Sequence, residues 1–202
     1  MKTIAVALVF GGILVMVGCG RSGEGGTPDI DVAAPPTGLH WVDYQGIGIP
    51  VADQGPRAYS ATVATGFADS PAGAGLAAIV HTVRMSVAPD RTWSQIAASE
   101  LAPGPGKDMW VAARTLVSIT KPAERATAPT ILGYRITDYM PKTRAAVTTY
   151  SRYPDTSLAA THASVVWLGQ DWLLELPDPA STHPTVESIT EIPPSAVRLE
   201  SR

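Results

Sequence analysis

Apolar residues recur at helical spacing before residue 120 of this chain and alternate with polar ones after residue 130. A first helix is predicted to begin at Pro71, because Ser70 suits the N-cap position and proline suits the first turn. The apolar positions of this helix are Leu76, Val80, Val83 and Val87. Two shorter helices are predicted over residues 93–101 and 107–118.

Four consecutive strands are predicted in the last third of the chain. They cover residues 131–139, 145–153, 159–168 and 172–176. An earlier strand is predicted over residues 39–44, and residues 46–51 are expected to lie at a sheet edge because Pro50 lacks an N–H donor. The predicted fold class is α+β, with three N-terminal helices packed on a curved four-strand antiparallel sheet and a short strand or hairpin before them.

The N-terminus resembles a bacterial lipoprotein signal peptide. Lys2 is followed by an uncharged apolar run over residues 4–17, which is shorter than the roughly 20 residues of a membrane span. Gly18 then precedes Cys19, the only cysteine of the chain. Cleavage between these two residues and lipidation of Cys19, with palmitate among its acyl chains, are expected. The alternatives are an uncleaved anchor and ordinary secretion.

This signal predicts a domain organisation and a location. Residues 1–18 are the signal peptide, residues 19–37 a glycine-containing flexible tether and residues 38–177 a single α+β domain. Residues 178–202 contain four prolines and are predicted to form a loosely attached C-terminal tail. Because two acyl chains anchor a protein stably, the domain is expected on the outer face of the cytoplasmic membrane, held there through Cys19.

Charge and residue types exclude several functions. Removal of residues 1–18 takes the formal net charge from −3 to −4, so a nucleic-acid partner is not expected. The four histidines are not at metal-ligand spacing, and the sequence has neither HExxH nor GxSxG. No cofactor, metal or catalytic constellation is therefore predicted. A weak catalytic alternative pairs His162 with Asp138, since both lie in predicted strands.

Two parts of the sequence resemble known proteins. Residues 166–174 combine a hydrophobic strand, a Gly-Asp turn and a Trp-x-Leu return strand, and this hairpin is similar to the closing hairpin of many nuclear-transport-factor-2-like domains. Residues 46–50, 55–56 and 66–74, together with the signal, resemble a group of actinobacterial lipoproteins and membrane proteins carried on conjugative elements. The resemblance implies a cone-like sheet and a role beside conjugation machinery.

The leading functional hypothesis is a lipid-anchored extracytoplasmic interaction domain, accessory to conjugation or another envelope assembly, with envelope proteins as partners. One alternative is a module that binds a small apolar ligand in the cone. Its candidate pocket residues are Tyr134, Tyr150, His162 and Trp167. Another is an exclusion lipoprotein that blocks phage or a second mobile element. Large aromatic residues at helix and strand spacing usually fill a core, so most of the five tryptophans are expected to be structural.

Overall fold

A six-strand sheet, two short hairpins and three helices make up residues 30–199, the part of the chain that this computed structural model describes. The helices are α1 (Pro71–Ser86), α2 (Trp93–Glu100) and α3 (Pro105–Arg114). The strands are β1 (His40–Tyr44), β2 (Ile47–Val51), β3 (Ala58–Tyr59), β4 (Ala64–Thr65), β5 (Thr130–Met140), β6 (Arg144–Arg152), β7 (Leu158–Leu168), β8 (Asp171–Glu175), β9 (Val186–Ile189) and β10 (Val197–Arg198).

The main sheet is antiparallel throughout and follows the order β10-β5-β6-β7. Two strands share the far edge of β7. Its C-terminal half pairs with β8, where Trp167 lies opposite Trp172, and its N-terminal half pairs with β9, where Ala160 lies opposite Glu187. The polypeptide between β8 and β9 therefore leaves and rejoins the same edge of the sheet.

The predicted four-strand sheet under three helices is wrong. Strands β9 and β10 come from the C-terminal segment that was expected to be a loose tail, and they raise the main sheet to six strands. Strand β9 shows little apolar alternation because it is mostly exposed and joins the sheet through its backbone, and β10 is too short, at two residues, to show a period. The pairs β1–β2 and β3–β4 form two further small sheets, so the architecture is mostly sheet.

The helices also depart from the predicted layer. Helix α1 lies across the sheet and contacts β5, β6, β7 and β8, whereas α2 packs on α1 and β8, and α3 packs on α2. Helix α1 begins as the sequence predicts, since the Ser70 hydroxyl accepts a hydrogen bond from Gly73 N at 3.1 Å. Gly75 lets α1 approach the sheet, because a Cβ there would lie 2.4 Å from the buried Tyr134 ring.

The core lies between α1 and the sheet face that it covers. Its largest fully buried side chain is that of Trp172, whose indole N–H donates to Ala68 O at 3.0 Å. The β1–β2 hairpin extends this core through Ile49. Among the described helices, none has the length and apolar character that a membrane-spanning segment needs.

Candidate functional site

A groove of about 1280 Å³ lies between α3, the C-terminal half of α1 and the middle of the sheet. Its apolar floor is formed by residues of five different segments: Met85, Trp110, Val147, Ala163, Leu174 and Leu176. Five prolines surround it: Pro103, Pro105, Pro177, Pro179 and Pro184. We call it the proline-rimmed groove.

Close backbone contacts hold the two sides of the groove in place. Gly106, in the first turn of α3, packs so tightly on the chain after β8 that a Cβ would lie 2.6 Å from Leu176 O and 2.5 Å from Pro177 O. Beside it, Ala102 N donates to Leu174 O at 2.8 Å. The start of α3 is therefore fixed against the end of β8, and the groove opens next to this junction.

Helix α3 presents an apolar stripe to solvent. The stripe comprises Met109, Ala112, Ala113 and Leu116, at the i, i+3, i+4 and i+7 spacing of one helical face. Met109 is 49% exposed and Leu116, just beyond the helix, is 87% exposed. Met109 and Ala113 also line the proline-rimmed groove, so the stripe and the groove form one continuous surface.

Five ionisable residues line the groove: Lys107, His162, Glu175, Asp178 and His183. Glu175 alternates with Leu174 and Leu176, so its carboxylate lies on the opposite sheet face, where Arg144 is its ion-pair partner at 3.8 Å. Lys107 also lines the groove, but its ammonium donates to Leu101 O at 2.9 Å, and burial lowers the pKa of this lysine. The groove therefore has one exposed carboxylate, that of Asp178, and one ammonium that is already bound.

His162 connects the sheet to the segment that borders the groove. Its Nδ1 lies 3.1 Å from the Thr148 hydroxyl and its Nε2 lies 3.2 Å from Glu187 Oε1. A hydroxyl, an imidazole and a carboxylate in series can activate a nucleophile. Thr148, however, is 4% exposed, so these contacts attach β9 to β7.

The four predicted pocket residues do not line one cavity. Tyr134 lies opposite Thr149, whereas Tyr150 is the next residue of the same strand, so the two tyrosines point to opposite sheet faces. Trp167 lies on the same helix-covered face as Tyr134, and its ring centroid lies 5.2 Å from that of Trp172. His162 is the member of the set that lines the proline-rimmed groove.

Burial explains why the tyrosines do not form a binding surface. Tyr134 and Tyr150 are both buried, and desolvation raises the pKa of the Tyr134 hydroxyl well above its usual range.

The structure does not bring Asp138 and His162 together. Asp138 pairs with Ala146 and lies two strands away from His162, which corresponds to about 12 Å from the spacings of a sheet. Gly18 and Cys19, the predicted cleavage and lipidation residues, lie outside the described residues.

A buried charge network lies between α1, α2 and β8, and nothing in the sequence pattern pointed to it. Arg84 Nε donates to Glu100 Oε1 at 2.8 Å, and His81 Nδ1 lies 3.0 Å from Glu100 Oε2. All three side chains are fully buried. The guanidinium carbon of Arg84 also lies 4.5 Å from the centroid of the Tyr44 ring.

The hydrogen bonds of this network orient the His81 ring. His81 Nε2 lies 3.0 Å from Trp172 O, a carbonyl that can only accept, so Nε2 carries a proton. Nδ1 faces the carboxylate of Glu100. The network also takes in Ala64 N, which donates to Glu100 Oε1 at 3.1 Å, so it joins α1, α2, β4 and β8.

A smaller cavity of about 660 Å³ lies between the β1–β2 hairpin and the start of β5. Trp41 lines it beside Asp43, whose carboxylate accepts from Arg125 at 3.0 Å. Across residues 30–199, no three histidine, aspartate or glutamate side chains are close enough together to hold a metal ion.

The fold and groove thus define an α+β domain with an open groove beside its main sheet. The chain belongs to the DUF8175 family, a domain of unknown function, whose model matches residues 19–193. This match includes β9 and all the residues that line the groove. No curated protein and no solved structure matches the chain significantly.

Proposed function

We propose that this protein is a lipid-anchored extracytoplasmic interaction domain, and that it holds a segment of a partner envelope protein in the proline-rimmed groove. The observation that carries the proposal is the continuity of the groove with the exposed apolar stripe of α3 through Met109 and Ala113. Continuous exposed apolar surface of this kind marks interaction sites in soluble domains.

The size of the surface favours a polypeptide over a small ligand. Small-molecule pockets usually enclose about 300–1,000 Å³, and the groove exceeds that range before the stripe is added. A small apolar ligand on the floor would also leave Met109 and Leu116 in water. A peptide segment laid along the groove and stripe covers both.

The predicted lipid anchor completes the proposal. A domain tethered through Cys19 stays near the outer face of the membrane, where envelope assemblies such as conjugation machinery are built. We expect Cys19→Ser to abolish lipidation and to move the protein from the membrane fraction to the soluble fraction. A Cys19→Ser protein that sediments with membranes as completely as the native chain contradicts this part of the proposal.

Site-specific photocrosslinking in intact cells tests the binding surface. A benzoylphenylalanine at Ala113 reports on the groove and the stripe together. The matched control position is Tyr153, which is 40% exposed and lies beyond β6, away from the groove. We expect a discrete adduct at Ala113 that is absent at Tyr153.

A second substitution decides whether that adduct is specific. Leu116→Glu places a charge on the apolar stripe without disturbing the fold, because this side chain is 87% exposed. The control is Leu168→Glu at another exposed leucine, 44% exposed, in the β7–β8 hairpin. The adduct at Ala113 should disappear with Leu116→Glu and persist with Leu168→Glu. Equal adducts at Ala113 and Tyr153, or no adduct at Ala113, contradict the proposed interaction surface.

A further inference from the structure

We infer that the cavity between the β1–β2 hairpin and the start of β5, here called the hairpin cavity, binds a neutral saccharide. A pyranose ring would lie against the Trp41 indole, with its hydroxyls bonded to Asp43 and Arg125. The site is separate from the proline-rimmed groove, since none of the described residues lines both. Three features support the inference: the size and aromatic wall of the cavity, the fixed position of its polar pair, and the neutral charge of its lining.

The hairpin cavity has the size and the wall of a small-molecule site. Its volume of about 660 Å³ lies within the range of about 300–1,000 Å³ that such sites usually enclose. Trp41 and Asp43 alternate with Val42 and therefore share one face of β1. The half-buried Trp41 ring lies over Gly48, since its Cε3 is 3.7 Å from where a Cβ of that glycine would be. An aromatic wall of this kind packs on the C–H groups of a pyranose ring.

The polar pair beside the ring is held in place before a ligand binds. Asp43 Oδ1 accepts from Arg125 at 3.0 Å, and Asp43 Oδ2 accepts from Gly46 N at 3.2 Å. The loop that carries Arg125 is fixed to the hairpin turn, because Ala123 N donates to Gln45 O at 2.8 Å. Both side chains of the pair remain accessible, at 81% exposure for Arg125 and 50% for Asp43. Their remaining N–H groups and lone pairs can therefore bond hydroxyls, which both donate and accept.

The charge of the lining favours a neutral ligand. Among the described residues that line the hairpin cavity, Asp43 and Arg125 are the two with charged side chains, and they pair with each other. A charged ligand would be attracted by one of them and repelled by the other. A purely apolar ligand would cover the pair without bonding it, which is unfavourable. A neutral saccharide satisfies both requirements, because it offers C–H groups to the indole and hydroxyls to the pair.

Saturation-transfer difference NMR tests the inference on the full chain, purified in a polyoxyethylene detergent because that detergent carries no sugar. The neutral probes are the trimer of N-acetylglucosamine, cellotriose and maltotriose. The controls are sorbitol, which has hydroxyls but no ring, the cationic trimer of glucosamine and the anionic trimer of galacturonate. We expect transfer to at least one neutral trimer, with a dissociation constant of about 1 mM, and weaker or no binding of the three controls.

The monomer of the bound trimer distinguishes two sources of the ligand. Binding of the monomer about tenfold weaker than that of its trimer supports a glycan chain, and equal binding supports a free sugar.

Matched variants locate the site. Arg125 and Arg144 each pair with an exposed carboxylate, but only Arg125 lines the hairpin cavity. We expect Arg125→Gln to weaken binding about tenfold and Arg144→Gln to leave it unchanged. Trp41→Leu keeps an apolar side chain over Gly48 without the aromatic ring and should abolish binding, whereas Trp93→Leu, at another half-buried tryptophan, should not. If Trp41→Leu fails to fold, Arg125→Gln decides, because the loss of an exposed side chain leaves the fold intact.

Three results overturn the inference: no transfer to any neutral trimer at about 10 mM, binding of sorbitol or a charged trimer as tight as that of the neutral ones, and equal effects of Arg125→Gln and Arg144→Gln. The proposed function is decided separately by the crosslink at Ala113, which lies outside the hairpin cavity.

Discussion

Replacing Glu100 with glutamine removes the only carboxylate of the buried network that the described residues form around Arg84. Glutamine keeps the volume of the side chain and one acceptor oxygen, which can still accept from Ala64 N and Arg84 Nε. What is lost is the negative charge. The amide N–H₂ then faces His81, whose Nδ1 can accept once it is unprotonated. The Arg84 guanidinium remains buried without a counter-ion.

The expected cost follows from that uncompensated charge. Removing one partner of a buried ion pair costs about 3–5 kcal/mol, and Arg84 and Glu100 are both fully buried. The remaining bonds of Arg84 to backbone oxygens, such as Ser60 O at 3.0 Å, offset part of the loss. We therefore expect a loss of about 3 kcal/mol, a large fraction of the 5–15 kcal/mol that stabilises an ordinary domain.

Urea unfolding followed by tryptophan fluorescence measures this loss. With an m-value of about 2 kcal/mol/M, Glu100→Gln should lower the midpoint by about 1.5 M and leave m unchanged. The matched control is Glu175→Gln, which neutralises an exposed carboxylate and should change stability by less than about 0.5 kcal/mol.

A double-mutant cycle identifies the cause. If the loss comes from the uncompensated Arg84 charge, Arg84→Met should cost less in the Glu100→Gln background than in the native chain, by about 2 kcal/mol. Additivity of the two substitutions within about 0.5 kcal/mol refutes the reasoning, as does a cost of Glu100→Gln below about 1 kcal/mol.

Three further predictions concern the rest of the fold. The N–H of Ile119, with two side-chain donors, holds the pKa of Asp90 at about 2, so the stabilisation of the fold by this carboxylate is present above pH 4 and is lost as the pH falls from 4 to 2. Asp90→Asn should make the urea midpoint less dependent on pH over that range, and an unchanged pH dependence contradicts this prediction. Gly75→Ala should lower the free energy of unfolding by about 1–3 kcal/mol, because the added Cβ would lie 2.4 Å from a buried ring. The control Gly48→Ala should be tolerated, since its nearest atom lies at 3.7 Å, and equal urea midpoints for the two variants contradict the close approach of α1 to the sheet. Deleting residues 185–202 exposes the edges of β5 and β7, so the truncated chain should aggregate and should unfold at a lower urea concentration than the full chain. A truncated chain that stays monomeric and equally stable contradicts the pairing of β9 and β10 with the sheet.

Several elements could be predicted because their signals are local. Ser70 and Pro71 mark the start of α1 through N-cap chemistry that acts within one turn. Apolar and polar residues alternate along β5 to β8 because one face of the sheet packs on the core. The turn between β7 and β8 is marked by Gly169 and Gln170, both of which have positive φ.

The candidate site could be predicted much less well. His162 was singled out and does line the groove, but the reason given was a cone-like interior, and its partners prove to be Thr148 and Glu187. The predicted lipidation of Cys19 stays a prediction.

The sequence by itself therefore determined α1 and the central strands. A helix N-cap and the spacing of apolar residues are properties of residues that are neighbours along the chain. Only the tertiary structure places β9 and β10 in the sheet, because the exposed β9 pairs through backbone groups that every residue possesses and β10 is only two residues long. The same holds for the network of His81, Arg84 and Glu100 and for the proline-rimmed groove. Both depend on how separate segments meet when the core is packed, which neighbouring residues do not encode.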